Sequence, residues 1–177
     1  MEVPARTLPT VDRDRMRRVC GAFATGVTIL TTGGAAAHGM TANSFTSVSL
    51  DPPLLLVCVA RDAVMHRKLH ETSHFGVSVL AAHQEDVARH FADRWRKLGM
   101  AQFDAVDWSP GPVTGVPLID GALAHFECEL LTAYAGGDHT IFVGTVLALD
   151  RRDDADALVF VDGRLRRLGR AEMEVTA

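Results

Sequence analysis

The 177-residue chain is poor in cysteine and in aromatic side chains, and it has no large excess of charge of either sign. The three cysteines, Cys20, Cys58 and Cys128, stand at irregular spacing, which argues against a disulfide framework or a cysteine zinc site. Free cysteines are typical of a reducing cytoplasm. A net charge of −4 lacks the basic excess of nucleic-acid-binding domains. We therefore predict a cytoplasmic protein with no bound metal and no nucleic-acid partner.

Long hydrophobic segments and several familiar enzyme motifs are also missing. The longest apolar run, Leu54 to Ala60, is far shorter than the ~20 residues of a membrane-spanning helix. The segment from Met1 to Arg18 lacks the apolar centre of a secretory signal. No G-x-G-x-x-G follows a strand and no G-x-S-x-G is present. These absences predict no membrane association, no Rossmann domain and no hydrolase elbow.

One zinc-protease pattern, H-E-x-x-H, does occur at His70 to His74. The pattern requires both histidines on one face of a helix. Thr72 and Ser73 are weak helix formers, and a strand-like run begins at Phe75. We therefore interpret His74 as lying beyond the helix end and predict no zinc site.

The sequence is rich in β-branched and apolar runs of strand length. Helical spacing of apolar residues predicts helices over 11–22, 62–71 and 85–98, with Met16, Val19, Cys20 and Phe23 as the apolar stripe of the first. A loop is expected over 99–115. Strands are predicted over 27–32, 39–44, 54–60, 75–80, 122–133, 140–150, 157–161 and 164–168, with an irregular or strand-like stretch over 45–49. The pattern predicts a mainly β fold, a β-barrel with flanking helices, with a flexible arm over 1–10, one domain over 11–170 and a tail over 171–177.

The stretch from Thr41 to Ser49 concentrates five hydroxyl groups and one amide between a strand and Pro52-Pro53. Hydroxyls and backbone amides can bind a phosphate or a sugar chain. The same composition also suits an edge strand with polar residues facing water. Both interpretations remain open on composition alone.

Two further features admit both a functional and a structural interpretation. Gly136-Gly137 precedes Asp138-His139, and glycines allow a backbone to approach a ligand closely while histidine titrates near pH 7. The run from Asp162 to Arg170 holds four arginines, which suit either nucleotide phosphates or a solvated face. Arg61 is likewise either a phosphate partner or a solvated charge.

Three motifs in this order resemble the short-chain flavin reductase family over residues 14 to 168. They are Phe23-Ala24-Thr25-Gly26-Val27-Thr28, then Gly39-Met40-Thr41-Ala42-Asn43-Ser44-Phe45-Thr46-Ser47-Val48-Ser49-Leu50-Asp51-Pro52-Pro53, and Gly136 to Gly144. The resemblance implies an FMN-binding split β-barrel of Greek-key type and a homodimer. It also implies reduction of FMN or FAD by NADH or NADPH, with the reduced flavin passing to a partner monooxygenase.

The resemblance also implies roles for individual residues. His139 is expected to line the pocket shared by the nicotinamide and the flavin, and Arg61 to contact a phosphate. The remaining flavin-binding residues are expected to be Thr25, Gly26, Val27, Met40, Thr41, Ala42, Asn43, Ser44, Ser47, Val48 and Ser49.

Two other functions remain open from the sequence. One is a flavoprotein that keeps its FMN and reduces a different acceptor. The other is a split-barrel module that binds flavin or heme without catalysis. The sequence does not choose between FMN and FAD or between NADH and NADPH.

Overall fold

The computed structural model describes residues 11–169, so the predicted arm over 1–10 and tail over 171–177 lie outside the described residues. The helices of the described part are α1 (Arg13–Gly21), α2 (Val64–His70) and α3 (Glu85–Ala92), with 3-10 turns over Gly34–Ala36 and Gly99–Phe103. Its strands are β1 (Thr25–Gly26), β2 (Thr28–Thr32), β3 (His38–Ala42), β4 (Thr46–Leu50), β5 (Pro53–Ala60), β6 (His74–Val79), β7 (Trp108–Pro110), β8 (Pro117–Ile119), β9 (Ala124–Gly136), β10 (His139–Arg151), β11 (Ala157–Val161) and β12 (Arg164–Leu168).

Most of these strands form one antiparallel sheet in the order β3-β2-β6-β9-β10-β5-β4, while β1-β11-β12 and β7-β8 form two smaller sheets. The sheets do not close on themselves, as expected for a split barrel. The alternation along β5 shows why these runs form strands: Leu55, Val57 and Val59 are buried, and the residues between them are half-buried on the opposite face. The predicted mainly β class with flanking helices is confirmed.

Two apolar clusters fill the interior, one on each side of β3. α2 contributes Met65 and Leu69 to the first cluster, and α3 contributes Ala88 and Phe91 to the second. Each of the larger buried side chains, Met65, Leu69 and Phe91, contributes roughly 1.5–3 kcal/mol of transfer free energy. The strand β3 is thereby fixed between two helices, and this placement shapes the site.

Contacts between β3 and α3 are unusually close. A Cβ atom at Gly39 would collide with the ring of Phe91, so only glycine allows this approach. One position further along this face, Thr41 Oγ1 donates to Ala88 O at 2.6 Å. Residues Gly39–Thr41 therefore pack against α3, in addition to any role in binding a ligand.

The third predicted helix is shorter than its apolar spacing indicated. It ends at Ala92, because Asp93 is extended (φ −68, ψ 120) and the chain turns back toward β3. Trp95, which continues the helical spacing of the apolar residues Val87 and Phe91, is 94% exposed. The expected loop over 99–115 instead holds a 3-10 turn and β7, and Phe103 and Trp108 pack on the second cluster.

The apolar stripe of α1 packs on no core within the described chain. No residue of α1 is buried, Met16 and Val19 are more than half exposed, and Phe23, beyond the helix end, is 76% exposed.

No helix within residues 11–169 is long and apolar enough to cross a membrane.

Candidate functional site

Two cavities meet at Thr41, Ala42 and Asn43, which line both. The first, here the arginine cavity, has a volume of about 540 Å³ and lies between β3, α3 and β12. The second, here the β3 groove, has a volume of about 450 Å³ and runs along β3 between α2 and the segment after α3. The hydroxyl-rich motif therefore lies where two ligands could meet.

Several hydroxyls of this motif are already used within the protein. Ser44 Oγ donates to Cys58 O at 2.8 Å and accepts from Cys58 N at 3.0 Å, so it links the chain to β5. Thr41 is bonded to α3 as described above. Residues 43–45 lie outside both β3 and β4, so their amides are not part of a strand ladder. The groups of this motif best placed for a ligand are consequently backbone amides and the exposed Asn43 side chain.

The turn over Thr25, Gly26 and Val27 adjoins this motif. Asn43 Nδ2 donates to Thr25 Oγ1 at 3.2 Å, and Val27 lines the arginine cavity. Gly26 is exposed with open space around it. The first and second sequence motifs are therefore brought together.

Six predicted flavin-binding residues line neither cavity: Thr25 and Gly26 of the turn above, and Ser47, Val48, Ser49 and Arg61. Ser47 and Val48 are exposed and Ser49 is half-buried on β4, the edge strand of the large sheet. The ladder slips at this point, since Ser47 pairs with Leu55 and Ser49 pairs with Leu54. Arg61 is exposed, and its amide donates to Asp138 O at 3.1 Å.

His139 faces the β3 groove, which Met40 also lines. Its Nδ1 lies 2.8 Å from Asp138 Oδ1, and because a carboxylate only accepts, Nδ1 carries the proton. This hydrogen bond holds the pKa of Asp138 below its ordinary value. Arg13 approaches the other oxygen of Asp138 at 3.4 Å. The ring of His139 is thus oriented so that Nε2 does not contact Asp138.

Sequence reasoning missed a second histidine in the groove. His38 is 3% exposed, and its Nε2 lies 3.2 Å from Arg96 Nη2. Arg96 also donates to Gly39 O and to Asp93 O, and its guanidinium lies 5.8 Å from the centre of the Phe91 ring. The arginine stands beyond the observed end of α3, so helical spacing could not reveal this long-range contact.

The two remaining features from the sequence, the arginine run and the H-E-x-x-H pattern, have different outcomes in the structure. Arg164 and Arg166 line the arginine cavity together with Arg89, so the basic run does border a site. His70 ends α2 and His74 opens β6, so the two histidines of the zinc pattern do not share a helix face.

Two of the cysteine thiols, those of Cys58 and Cys128, have raised pKa values. Cys58 borders the groove, and burial raises the pKa of its thiol. Burial and the neighbouring Glu127 raise the pKa of Cys128 to about 12. Neither thiol is therefore a nucleophile at neutral pH.

Comparisons with known proteins agree with this architecture. An NADH-dependent FAD reductase of Streptomyces globisporus is 54% identical over 164 residues, which cover 93% of this chain and 90% of the relative. The NADH:FAD oxidoreductase of S. globisporus C-1027, solved in complex with NAD and FAD fragments, superposes with a TM-score of 0.84 at 53% identity, covering 90% of this chain and 94% of that one.

A further solved structure is the flavin reductase component of a bacterial two-component tryptophan halogenase. It superposes with a TM-score of 0.85 at 56% identity, covering 89% of this chain and 98% of that one. The model of the flavin reductase like domain matches residues 16–169. With its open barrel and its three motifs gathered around two joined cavities, this chain belongs to the flavin reductase like family.

Proposed function

We propose that this protein is an NADH:flavin oxidoreductase that reduces FAD or FMN. The observation that carries the proposal is the meeting of two cavities at Thr41–Asn43, with His139 facing one of them. Hydride transfer between two cofactors requires their rings to stack at a shared place while their polar chains lie apart. Relatives named as NADH-dependent flavin reductases support the same reaction.

The predicted residues would hold the flavin. Its ring would be held by Met40 to Ser44 and Thr25–Val27, where backbone amides and Asn43 are available. Its phosphate-bearing chain would be held outside the two cavities, by Ser47, Val48 and Ser49 on the edge strand, with Arg61 as a cationic partner. The free edge of β4 supports this path, because an edge strand has backbone groups that no neighbouring strand uses.

The protein's own contribution is orientation and exclusion of water. When bound, the flavin accepts a hydride from the reduced nicotinamide, which is chemistry of the two cofactors themselves. Asp138 fixes the ring of His139 beside the reacting rings, and the apolar side chains of Met40 and Val64 line the groove. These residues hold the two rings in the geometry that transfer needs.

The reduced flavin passes to a partner monooxygenase. The relatives that support this include a reductase subunit of a flavin-dependent monooxygenase and the reductase of the two-component halogenase. The protein acts as a homodimer in the cytoplasm. The exposed apolar residues of α1 support a second copy, since a monomer rarely leaves so much apolar surface open. Light scattering of the purified protein tests the dimer.

Steady-state NADH oxidation in air tests the activity. We expect turnover only when FAD or FMN is added, and colourless purified protein. Yellow protein that turns over another acceptor without added flavin would indicate a resident-flavin enzyme. Flavin binding without NADH oxidation would indicate a binding module, and either result would overturn the proposal.

A further inference from the structure

We propose that His66 and His70 form an exchangeable chelating site for a divalent transition metal ion such as Zn²⁺ or Cu²⁺, on the face of α2 that packs on β10. His70 is exposed, His66 is half-buried, and neither histidine lines the arginine cavity or the β3 groove. The site is therefore separate from the proposed cofactor pocket and goes beyond the proposed function. It also differs from the sequence expectation of a protein with no bound metal.

The two histidines belong to the same helix and are four positions apart in the chain. Residues at this spacing lie on one face of a helix, one turn apart, and two histidines so placed can ligate the same metal ion. The H-E-x-x-H pattern of the sequence instead pairs His70 with His74, which lies in β6. The structure thus gives His70 a different partner, His66, on its own helix.

The two imidazole rings already lie at the separation of ligands that share one metal ion. Their centres are 4.8 Å apart, and the ring planes are inclined by 66°. A zinc ion about 2.0–2.1 Å from a ring nitrogen lies about 3.2 Å from the ring centre, so two ligands at an angle of roughly 90–110° have centres about 4.5–5.2 Å apart. Chelation therefore needs rotation of the two rings and no displacement of the helix.

Two residues of β10 hold the rings in place. Phe142 is fully buried, and its ring centre lies 5.6 Å from that of His66 and 5.3 Å from that of His70. His66 Nε2 lies 2.9 Å from Thr140 Oγ1, an oxygen that can accept the proton of Nε2. Nδ1 of His66 then keeps its lone pair for a metal ion, and ligating histidines generally donate their other N–H in this way. Packing and this hydrogen bond limit the side-chain freedom that is lost when a metal binds.

The chemistry of the pair selects the class of metal ion. Burial, followed by the charges of His70 and Arg61, lowers the pKa of His66, so its ring is neutral and able to ligate at neutral pH. Imidazole suits Zn²⁺, Cu²⁺ and Ni²⁺, whereas Mg²⁺ and Ca²⁺ require oxygen ligands. Within residues 11–169 no third histidine, cysteine or carboxylate completes a group of metal ligands. Water therefore fills the remaining positions on the ion, so the ion is exchangeable.

Calorimetric titration of the untagged full-length protein with Zn²⁺ at neutral pH tests the site. We expect the wild type to bind one Zn²⁺ per chain through this pair. In His66→Gln and in His70→Gln the affinity should fall at least about tenfold, because loss of even an outer partner of a ligand costs that much. With Cu²⁺, the electron paramagnetic resonance spectrum should show coupling to two imidazole nitrogens in the wild type and in neither variant.

His74→Gln is the matched control, because it makes the same change at the other histidine of the H-E-x-x-H pattern. It should bind Zn²⁺ as the wild type does, and Mg²⁺ should bind to none of these proteins. Unchanged Zn²⁺ affinity in His70→Gln, whose side chain is exposed and whose loss should leave the fold intact, would overturn the site. An equal loss of affinity in His74→Gln would also overturn it. The titration uses neither NADH nor flavin, so its result does not depend on the proposed function.

Discussion

Two histidines line the β3 groove; the surroundings of His38 are here called its buried end and those of His139 its open end. Each histidine has one ring nitrogen held by a charged neighbour, which is an acid for His139 and a cation for His38. At one end Asp138 accepts from Nδ1 of His139, and at the other Arg96 donates to Nε2 of His38. The acidic partner of His139 fixes the proton on Nδ1 and leaves Nε2 outside this contact. A cationic partner leaves a neutral ring with a fixed donor.

Exposure separates the two ends further. The His139 side chain is 44% exposed, whereas His38 is 3% exposed. Changes at the buried end should therefore alter stability as well as ligand binding, and changes at the open end should alter ligand binding alone.

Arg96→Ala should produce the largest effect on stability. It removes four hydrogen bonds that fix the segment after α3 to β3, and it leaves Nε2 of His38 without a donor. We expect the free energy of unfolding to fall by about 2–4 kcal/mol, measured by urea denaturation. Arg94→Ala, which changes an exposed neighbour, should alter it by less than ~0.5 kcal/mol. Equal values for the two variants would contradict the anchoring role.

The pH dependence of stability should carry the signature of His38. The folded pKa of about 4 lies below the ordinary value of 6.5, so the unfolded chain binds a proton first as the pH falls. The stabilisation is complete above pH 6.5 and decreases toward pH 4, by up to about 3 kcal/mol. In His38→Gln this part of the slope should disappear. The measurement is chemical denaturation of both proteins across that range, and identical slopes would refute it.

Asp138→Ala tests the open end and should have the smallest effect on the fold. Loss of the acceptor lets the His139 ring rotate and exchange tautomers, so kcat/KM for NADH should fall about threefold to tenfold. The free energy of unfolding should change by less than ~0.5 kcal/mol. Arg13→Ala, which removes only the exposed ion pair with Asp138, is the control and should retain activity. A large loss of stability in Asp138→Ala would contradict the expectation that only the buried end contributes to the stability of the fold.

The sequence predicted the strands and turns whose formation depends on neighbouring residues in the chain. The apolar runs of β5 and β6 and the turn before His139, where Gly137 has φ 74, were predictable, since strand propensity and glycine turns act over a few residues. The end of α3 was not. Apolar spacing continued to Trp95, but the chain leaves the helix at Asp93 and the Arg96 side chain binds β3.

The residues of the site divide in the same way, into those found from local motifs and those that depend on long-range contacts. The resemblance pointed to Thr41–Ser44 and His139, and these residues do border joined cavities. His38 offered no signal, because a single histidine before a glycine has no recognisable spacing. Its importance arises from Arg96, 58 positions away in the chain. Ser47–Ser49, Arg61, Thr25 and Gly26, predicted by the same resemblance, border neither cavity. The ligand contacts of all these residues stay predictions.

The most direct test of the account is anaerobic mixing of the protein with NADH and oxidised flavin. In the absence of oxygen the reduced flavin accumulates, so each NADH consumed should bleach one flavin. We predict this one-to-one loss of the NADH and flavin absorbance with FAD or FMN, slowed when the transferred hydrogen of NADH is deuterium. Loss of NADH without flavin bleaching, or no reaction with either flavin, would contradict the account.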